Sequence, residues 1–210
     1  LLKFPNTKVV ALDRDKDVLK KAQKIKNLYK DRFTFFNEKF SNLEKVLINS
    51  NNEPDTIIFD LGVSSLQLLD MSRGFSFKSK AKLDMSMGLS SLSAEEVINN
   101  YDEYDLKLII KIFGDEKEAS KIAKNIIKAR KEKKISTVTE LVKIIEKSKK
   151  KNYNKKINIC TKTFQALRIF VNKEITELIT GIISATKKLK PGGKILVISF
   201  HSIEDKIVKY

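Results

Sequence analysis

The sequence predicts an α/β core into which an all-helical domain is inserted, and three observations carry that prediction. Up to about residue 71, short β-branched runs closed by a carboxylate alternate with apolar residues at helical spacing. Helical periodicity then takes over for some ninety residues, after which α/β grammar returns with a long helix, a Pro-Gly-Gly turn and the run at 194–200. Strands separated by helices are the grammar of a parallel sheet, and 210 residues suffice for one such core with an insertion.

Taken in order, Lys8 to Asp13 (KVVALD) is a buried parallel strand. Val18, Leu19, Ala22 and Ile25, continued by Leu28 and Tyr29, stripe a helix whose other face is Lys. Arg32 to Phe36 is a second strand, Leu43 to Ile48 a short helix, and Asp55 to Leu61 (DTIIFDL) a third strand ending at Asp60 before Gly62. In the insertion, Ser93 with Glu96 forms a capping box, and Leu106, Ile109, Ile110 and Phe113 form a stripe stopped by Gly114. Ala119, Ile122, Ala123, Ile126 and Ile127 form another, and Thr137 with Glu140 caps a third that bears Val138, Leu141, Val142 and Ile145. Lys147 to Lys156 (KSKKKNYNKK) has no periodicity and reads as a basic loop, either a polyanion contact or a solvated linker. Phe164, Leu167, Val171, Ile175, Leu178, Ile179 and Ile182 predict one long helix, and Lys194 to Phe200 (KILVISF) a fully buried strand. The expected organisation is residues 1–71 and 162–210 joined in one sheet, with residues 72–161 as the inserted helical domain.

Composition narrows the function. The net charge is +16, of which residues 115–156 contribute +9, so the insertion is the basic part and a polyanion is the expected partner. Of the 42 basic residues 37 are Lys, a bias that AT-rich coding also produces, so charge alone does not choose between RNA, DNA and an acidic membrane surface. One cysteine, Cys160, and one histidine, His201, cannot assemble a disulfide or a Cys/His zinc site, and no metal is expected. With no apolar run near the ~20 residues that span a bilayer, the expectation is a soluble cytoplasmic protein.

The candidate chemistry gathers on strand ends. Asp13 closes the first strand, where open α/β sheets bind ligands and an acid accepts hydrogen bonds from ribose hydroxyls; a helix-capping aspartate fits the same position. The Gly-rich turn that accompanies such an acid belongs ~20 residues upstream. Only twelve residues precede Asp13, so the chain reads as a core without its first strand and cradling loop. Asp60 closes the third strand and is followed by Gly62-Val63-Ser64-Ser65 and Gln67, a cluster suited to a ligand with amino and hydroxyl groups or to local turn bonds. A Ser-His-Asp hydrolase is excluded because His201 and Ser202 are chain neighbours that point apart, and neither a GxSxG elbow nor a P-loop is present.

Six strings, in order, resemble one family: ALDRD (Ala11–Asp15), FDLGVSSLQ (Phe59–Gln67), RGFSF (Arg73–Phe77), LDMSM (Leu83–Met87), ALRIFVNKE (Ala166–Glu174) and LKPGGKILVISFHSIEDKIVK (Leu189–Lys209). They are similar to the MraW/RsmH family of bacterial ribosomal RNA small-subunit methyltransferases, which methylate the N4 amino group of a cytosine in 16S rRNA. The resemblance implies a Rossmann-like core using S-adenosylmethionine, with N- and C-terminal parts of that core missing here. It implies cofactor contacts from Asp13, Phe40, Asp60 and Gln67, with plain core packing the other reading of Phe40. Arg73 and Phe75, with Phe77, become candidates for phosphate binding and base stacking or else ordinary core, and His201 and Ser202 candidates for touching the target nucleotide or a structural role. No motif identifies the group that accepts the amine protons. The chain departs from the family pattern at Leu66 (for Pro) and at Ser86 and Gly88 (for Arg and Asp), beside the expected active site.

Overall fold

A computed structural model describes residues 1–51, 53–149 and 158–209. They divide into two units, Leu1–Gly62 with Met87–Leu89 and Glu174–Tyr210, and Val63–Ser86 with Ser90–Lys173. The division falls at 62/63 and 173/174 rather than at the expected 71/72 and 161/162.

In the first unit, β1 (Val9–Leu12) and β2 (Phe33–Phe36) pair in parallel, Val9 with Phe33 through Leu12 with Phe36, and α1 (Leu19–Tyr29) is the crossover between them. Parallel neighbours require such a crossover. Arg32, at the entry to β2, donates from Nη1 to the carbonyls of Phe4 at 2.9 Å and Pro5 at 3.1 Å, tying down the N-terminal segment. After α2 (Leu43–Asn49), β3 (Thr56–Asp60) pairs in parallel with β4 (Lys194–Ile198), Thr56 with Lys194 through Asp60 with Ile198. The described residues thus hold two two-stranded sheets where the sequence predicts one. The inward side chains of β3, Ile57 and Phe59, are buried against Leu43, Leu47, Leu178 and Ala185, while Leu12 and Val197 pack at the margin of this core. Ile58, Leu196 and Ile198 point the other way and are exposed, so β4 alternates instead of being buried on both faces as expected. A continuously apolar run predicts burial on both faces, but only packing on both faces buries both sets of side chains.

The second unit is helical: α3 (Ser65–Leu69), α4 (Ala94–Asn100), α5 (Glu103–Gly114), α6 (Ala119–Glu132), α7 (Val138–Ser148) and α8 (Thr161–Asn172). Both predicted capping boxes form, Ser93 with Glu96 and Thr137 with Glu140, and Ser64 with Gln67 makes a third. Residues 83–86 of the LDMSM segment are threaded through this unit, where Leu83 donates to the Ser136 carbonyl at 2.9 Å and accepts from the Glu95 amide at 2.7 Å. Leu83 and Met85 are fully buried. Gly114 allows α5 to touch α8: a Cβ there would lie 2.4 Å from the Lys162 carbonyl oxygen. Residues 150–156 of the basic run lie outside the described residues.

The single long helix expected from Phe164 to Ile182 is two, α8 and α9 (Glu174–Lys188). Lys173 between them has φ +52°, a left-handed conformation that terminates a helix. Asn172 supplies the reason: its buried side chain donates to the Met85 carbonyl at 2.8 Å and the Arg168 carbonyl at 2.9 Å, fastening the end of α8 to the LDMSM segment. The apolar stripe runs on across the break because α8 and α9 each bury a face, in different units. The last helix, α10 (Ser202–Lys209), follows β4 directly.

Candidate functional site

Asp13 follows the last residue of β1 and Asp60 is the last residue of β3, so both acids stand at the carboxyl ends of parallel strands in the same unit. Asp13 is held from three directions. Its amide donates to the Phe36 carbonyl at 3.2 Å, its carbonyl accepts from the Asn37 side chain at 2.8 Å, and its Oδ1 accepts from the Asp15 amide at 2.8 Å. Asp15 in turn caps the turn Lys16–Val18 and is buried, so of the two acids in ALDRD it is Asp15 that fills the helix-capping role. Asp60 is exposed and is followed by Gly62, whose φ of +81° turns the chain beside the Phe200 ring.

Phe40 opens the turn Phe40–Asn42 and meets Phe59 edge to face, ring centres 5.3 Å apart. What holds this turn was not legible in the sequence. Glu177, buried on α9, accepts from the Ser41 amide at 2.9 Å, and one turn later Gly181 presents bare backbone to Phe40 and Phe59. The cue available in the sequence is Gly181 itself, a glycine inside an apolar helical stripe, which signals a close approach. Glu177 also faces Arg14. Burial lowers the Arg14 pKa, and Glu177, Glu174, Asp13 and Asp15 oppose that shift; a guanidinium remains charged throughout. Arg14 therefore links the Asp13 strand end electrostatically to α9.

Gly88, where the family pattern has Asp, has φ +43°, and a Cβ built there would lie 2.1 Å from the Arg14 carbonyl oxygen. The glycine lets its segment rest on the ALDRD backbone at a distance no side chain permits.

His201 and Glu204 close the turn between β4 and α10. Glu204 Oε2 accepts from the Phe200 amide at 2.9 Å, and His201 Nδ1 accepts from the Glu204 amide at 3.4 Å. His201 Nε2 lies 3.2 Å from Glu204 Oε1. Glu174 joins them, the three groups offering ligand atoms within 4.8 Å of one another. The geometry of His201 is thus that of a turn fastener, while Ser202 at the start of α10 is exposed.

The remaining candidates lie in the helical unit. Gln67 Oε1 accepts from the Ser64 amide at 2.8 Å and the Gln67 amide donates back to Ser64 Oγ at 3.3 Å, so this glutamine shapes its own turn. Arg73 lies over the Phe75 ring, 5.2 Å from its centre, and donates to the Ser86 carbonyl at 3.0 Å. Phe75 is buried, and the half-buried Phe77 meets Phe164 edge to face.

Parallel strands with acids at their carboxyl ends are the arrangement in which α/β proteins commonly bind polar ligands. The chain belongs to the MraW methylase family, whose model matches residues 1–210. It is similar to proteins named ribosomal RNA small subunit methyltransferase H: 46% identical to that of Ehrlichia canis (strain Jake), covering 100% of this chain and 71% of the relative. It is 44% identical to that of Orientia tsutsugamushi (strain Ikeda), covering 97% and 66%, and 45% identical to that of Rickettsia bellii (strain OSU 85-389), covering 96% and 65%. No helix among the described residues is long and apolar enough to cross a membrane.

Proposed function

We propose that this chain acts as an S-adenosylmethionine-dependent methyltransferase on the N4 amino group of a cytosine in small-subunit ribosomal RNA. The observation that carries the reading is the pair of strand-end acids, Asp13 and Asp60, in a chain that belongs to the MraW methylase family. The donor set fits the cofactor: a half-buried carboxylate for hydroxyl groups, an exposed one for cationic groups, and an aromatic side chain between packed and open surface.

S-adenosylmethionine, when bound, supplies a methyl group made electrophilic by the sulfonium. Asp13 accepts from the ribose hydroxyls, its orientation set by the Asp15 amide and by Asn37. Asp60 offsets positive charge, and Phe40 packs against the adenosine, its turn clamped by Glu177. Gln67 acts indirectly by shaping the Ser64 turn. The cytosine amine is a weak nucleophile because its lone pair is delocalised into the ring, so alignment with the methyl group is the main catalytic requirement. The basic helical unit supplies the affinity for RNA.

The test is transfer of radiolabel from S-adenosylmethionine to small-subunit particles, with digestion of the product to nucleosides. The expected product is N4-methylcytidine, with Asp13→Asn and Asp60→Asn each lowering cofactor affinity at least tenfold while leaving RNA retention intact. RNA retention without label, or label on protein, would reject the reading.

A further inference from the structure

The helical unit uses its basic residues in two distinct ways. Lys133 pairs with Glu140 at 2.9 Å, Lys134 with Glu95 at 2.7 Å, Lys149 with Glu116 at 2.5 Å and Lys162 with Asp115 at 3.2 Å. Arg130 donates to the carbonyls of Ile98 at 2.7 Å and Tyr101 at 2.6 Å, tying α6 to the end of α4. Lys121, Lys124, Lys128 and Lys131 behave otherwise. All four are exposed, and among the described residues none has an ion-pair partner.

Their spacing of three, four and three residues sets them on one stripe of α6, opposite Ile122, Ala123 and Ile126, which are buried in the core of the unit. At 1.5 Å per residue the stripe runs about 15 Å along the helix. The only acid of α6 is Glu132, at its last position. On the flank next to Lys121 and Lys128, Asn125 donates to Ser148 Oγ at 2.8 Å, which brings the end of α7, with exposed Lys147, alongside.

We propose that Lys121, Lys124, Lys128 and Lys131 form a rail for the phosphate backbone of RNA, positioning the substrate without reading its sequence. The inference deepens and rests on the rRNA substrate proposed above. Genome-driven Lys enrichment explains many lysines on a surface. It does not explain why acids pair with Lys133, Lys134, Lys149 and Lys162 while four lysines aligned on one face of α6 have none within pairing distance among the described residues, Glu118 and Glu132 standing only at the helix ends. A lysine ammonium is a compact point charge suited to phosphate and unsuited to bidentate base recognition, so the rail sets register along the strand and leaves base choice to the methyl-transfer site. A membrane surface fits less well. A helix that binds bilayers inserts its apolar face, and the apolar face of α6 is consumed by its own core.

The test measures binding of a fluorescein-labelled single-stranded RNA by anisotropy across a potassium chloride series. The full chain is compared with K121Q/K124Q/K128Q/K131Q and with a control of equal charge loss on α1, K20Q/K21Q/K24Q/K26Q. Each phosphate contact to single-stranded RNA contributes ~0.7 to the slope of log K against log salt, so loss of four lowers the slope by about 2 to 3. The expected result is that the rail variant loses at least tenfold in affinity and shows that drop in slope, equally on RNAs of unrelated sequence, while the α1 control does not. Equal losses in both variants would show that diffuse charge does the binding, and no loss in the rail variant, or no RNA binding by the parent chain, would equally overturn the rail. Vesicles containing phosphatidylserine form the other arm: rail-dependent vesicle binding without rail-dependent RNA binding would assign the stripe to lipid. Cofactor binding is measured in parallel by calorimetry. A parent chain that binds RNA through the rail but no S-adenosylmethionine would reject the methyltransferase reading and leave the rail standing.

Discussion

Replacing Gly181 by alanine drives a methyl group into the contact between α9 and the Phe40 turn, and the magnitude follows from two opposed effects. Alanine is favoured over glycine inside a helix by about 1 kcal/mol, so in open space the change would stabilise. The space is closed. A Cβ at this position lies 2.9 Å from Phe59 Cε1 and 3.0 Å from Phe40 Cβ, nearer than carbon atoms approach without displacement. Neither neighbour is the loose end of a flexible side chain: Phe59 is 2% exposed, and Phe40 Cβ is fixed by a backbone that Glu177 holds through the Ser41 amide. Overpacking of this kind costs about 1 to 3 kcal/mol, and with both neighbours anchored the upper half of that range applies, leaving a net loss of about 1 to 2 kcal/mol. The displaced element carries Phe40, so cofactor affinity is expected to fall by about tenfold, a further 1.4 kcal/mol in binding. Urea unfolding followed by circular dichroism measures the first quantity, and titration calorimetry with S-adenosylmethionine the second. Thr176→Ala, at an exposed position of the same helix, reports helix propensity alone and is expected to leave both nearly unchanged. A Gly181→Ala protein as stable as its parent, with unaltered cofactor affinity, would refute the account of α9 as the clamp of the Phe40 turn.

Two further outcomes are expected. Lys149→Met leaves the Glu116 carboxylate buried without its 2.5 Å partner and should cost about 3 to 5 kcal/mol in urea unfolding, with Lys149→Met/Glu116→Gln recovering much of it. For Glu140, bonds from the Ser136 amide, from Lys133 and from Thr137 lower the pKa from 4.5 to about 2, against a smaller opposing effect of burial. A carboxylate depressed on folding stabilises the native state fully above its unfolded value and loses that contribution as pH falls through the folded one. The helical unit should therefore lose stability between about pH 4.5 and 2, seen as a falling midpoint in acid thermal scans, and Glu140→Gln should flatten that dependence.

Much of the local structure was readable because it is decided within a few residues. The boxes Ser93–Glu96 and Thr137–Glu140 form because donors and acceptors three positions apart meet in any helix start, whatever surrounds them. The strands that end in Asp13 and Asp60 were legible for a similar reason, apolar runs closed by an acid being local text. The break at Lys173 was not. No glycine or proline marks it, and the helix stops because Asn172 bonds to the Met85 carbonyl, 87 residues away in sequence. The exposure of one face of β4 escaped for the converse reason: continuous apolar residues look the same whether one face or two find a covering layer.

The candidate site divides along the same line. Asp13 and Asp60 stand in the sequence as candidates because each closes an apolar run, and Phe40 is a candidate through the family resemblance alone. What each does with its neighbours was settled by packing, which brought Glu177 of α9 to the Ser41 amide, aligned Gly181 with Phe59, turned His201 Nδ1 toward the Glu204 amide and buried Phe75 beneath Arg73. Residue types and short spacings determine which groups are available and which local turns and caps they can close. Only the tertiary structure decides which of them meet, because hydrogen bonds and van der Waals contacts act over a few ångströms and the chain itself sets no distance between residues far apart along it.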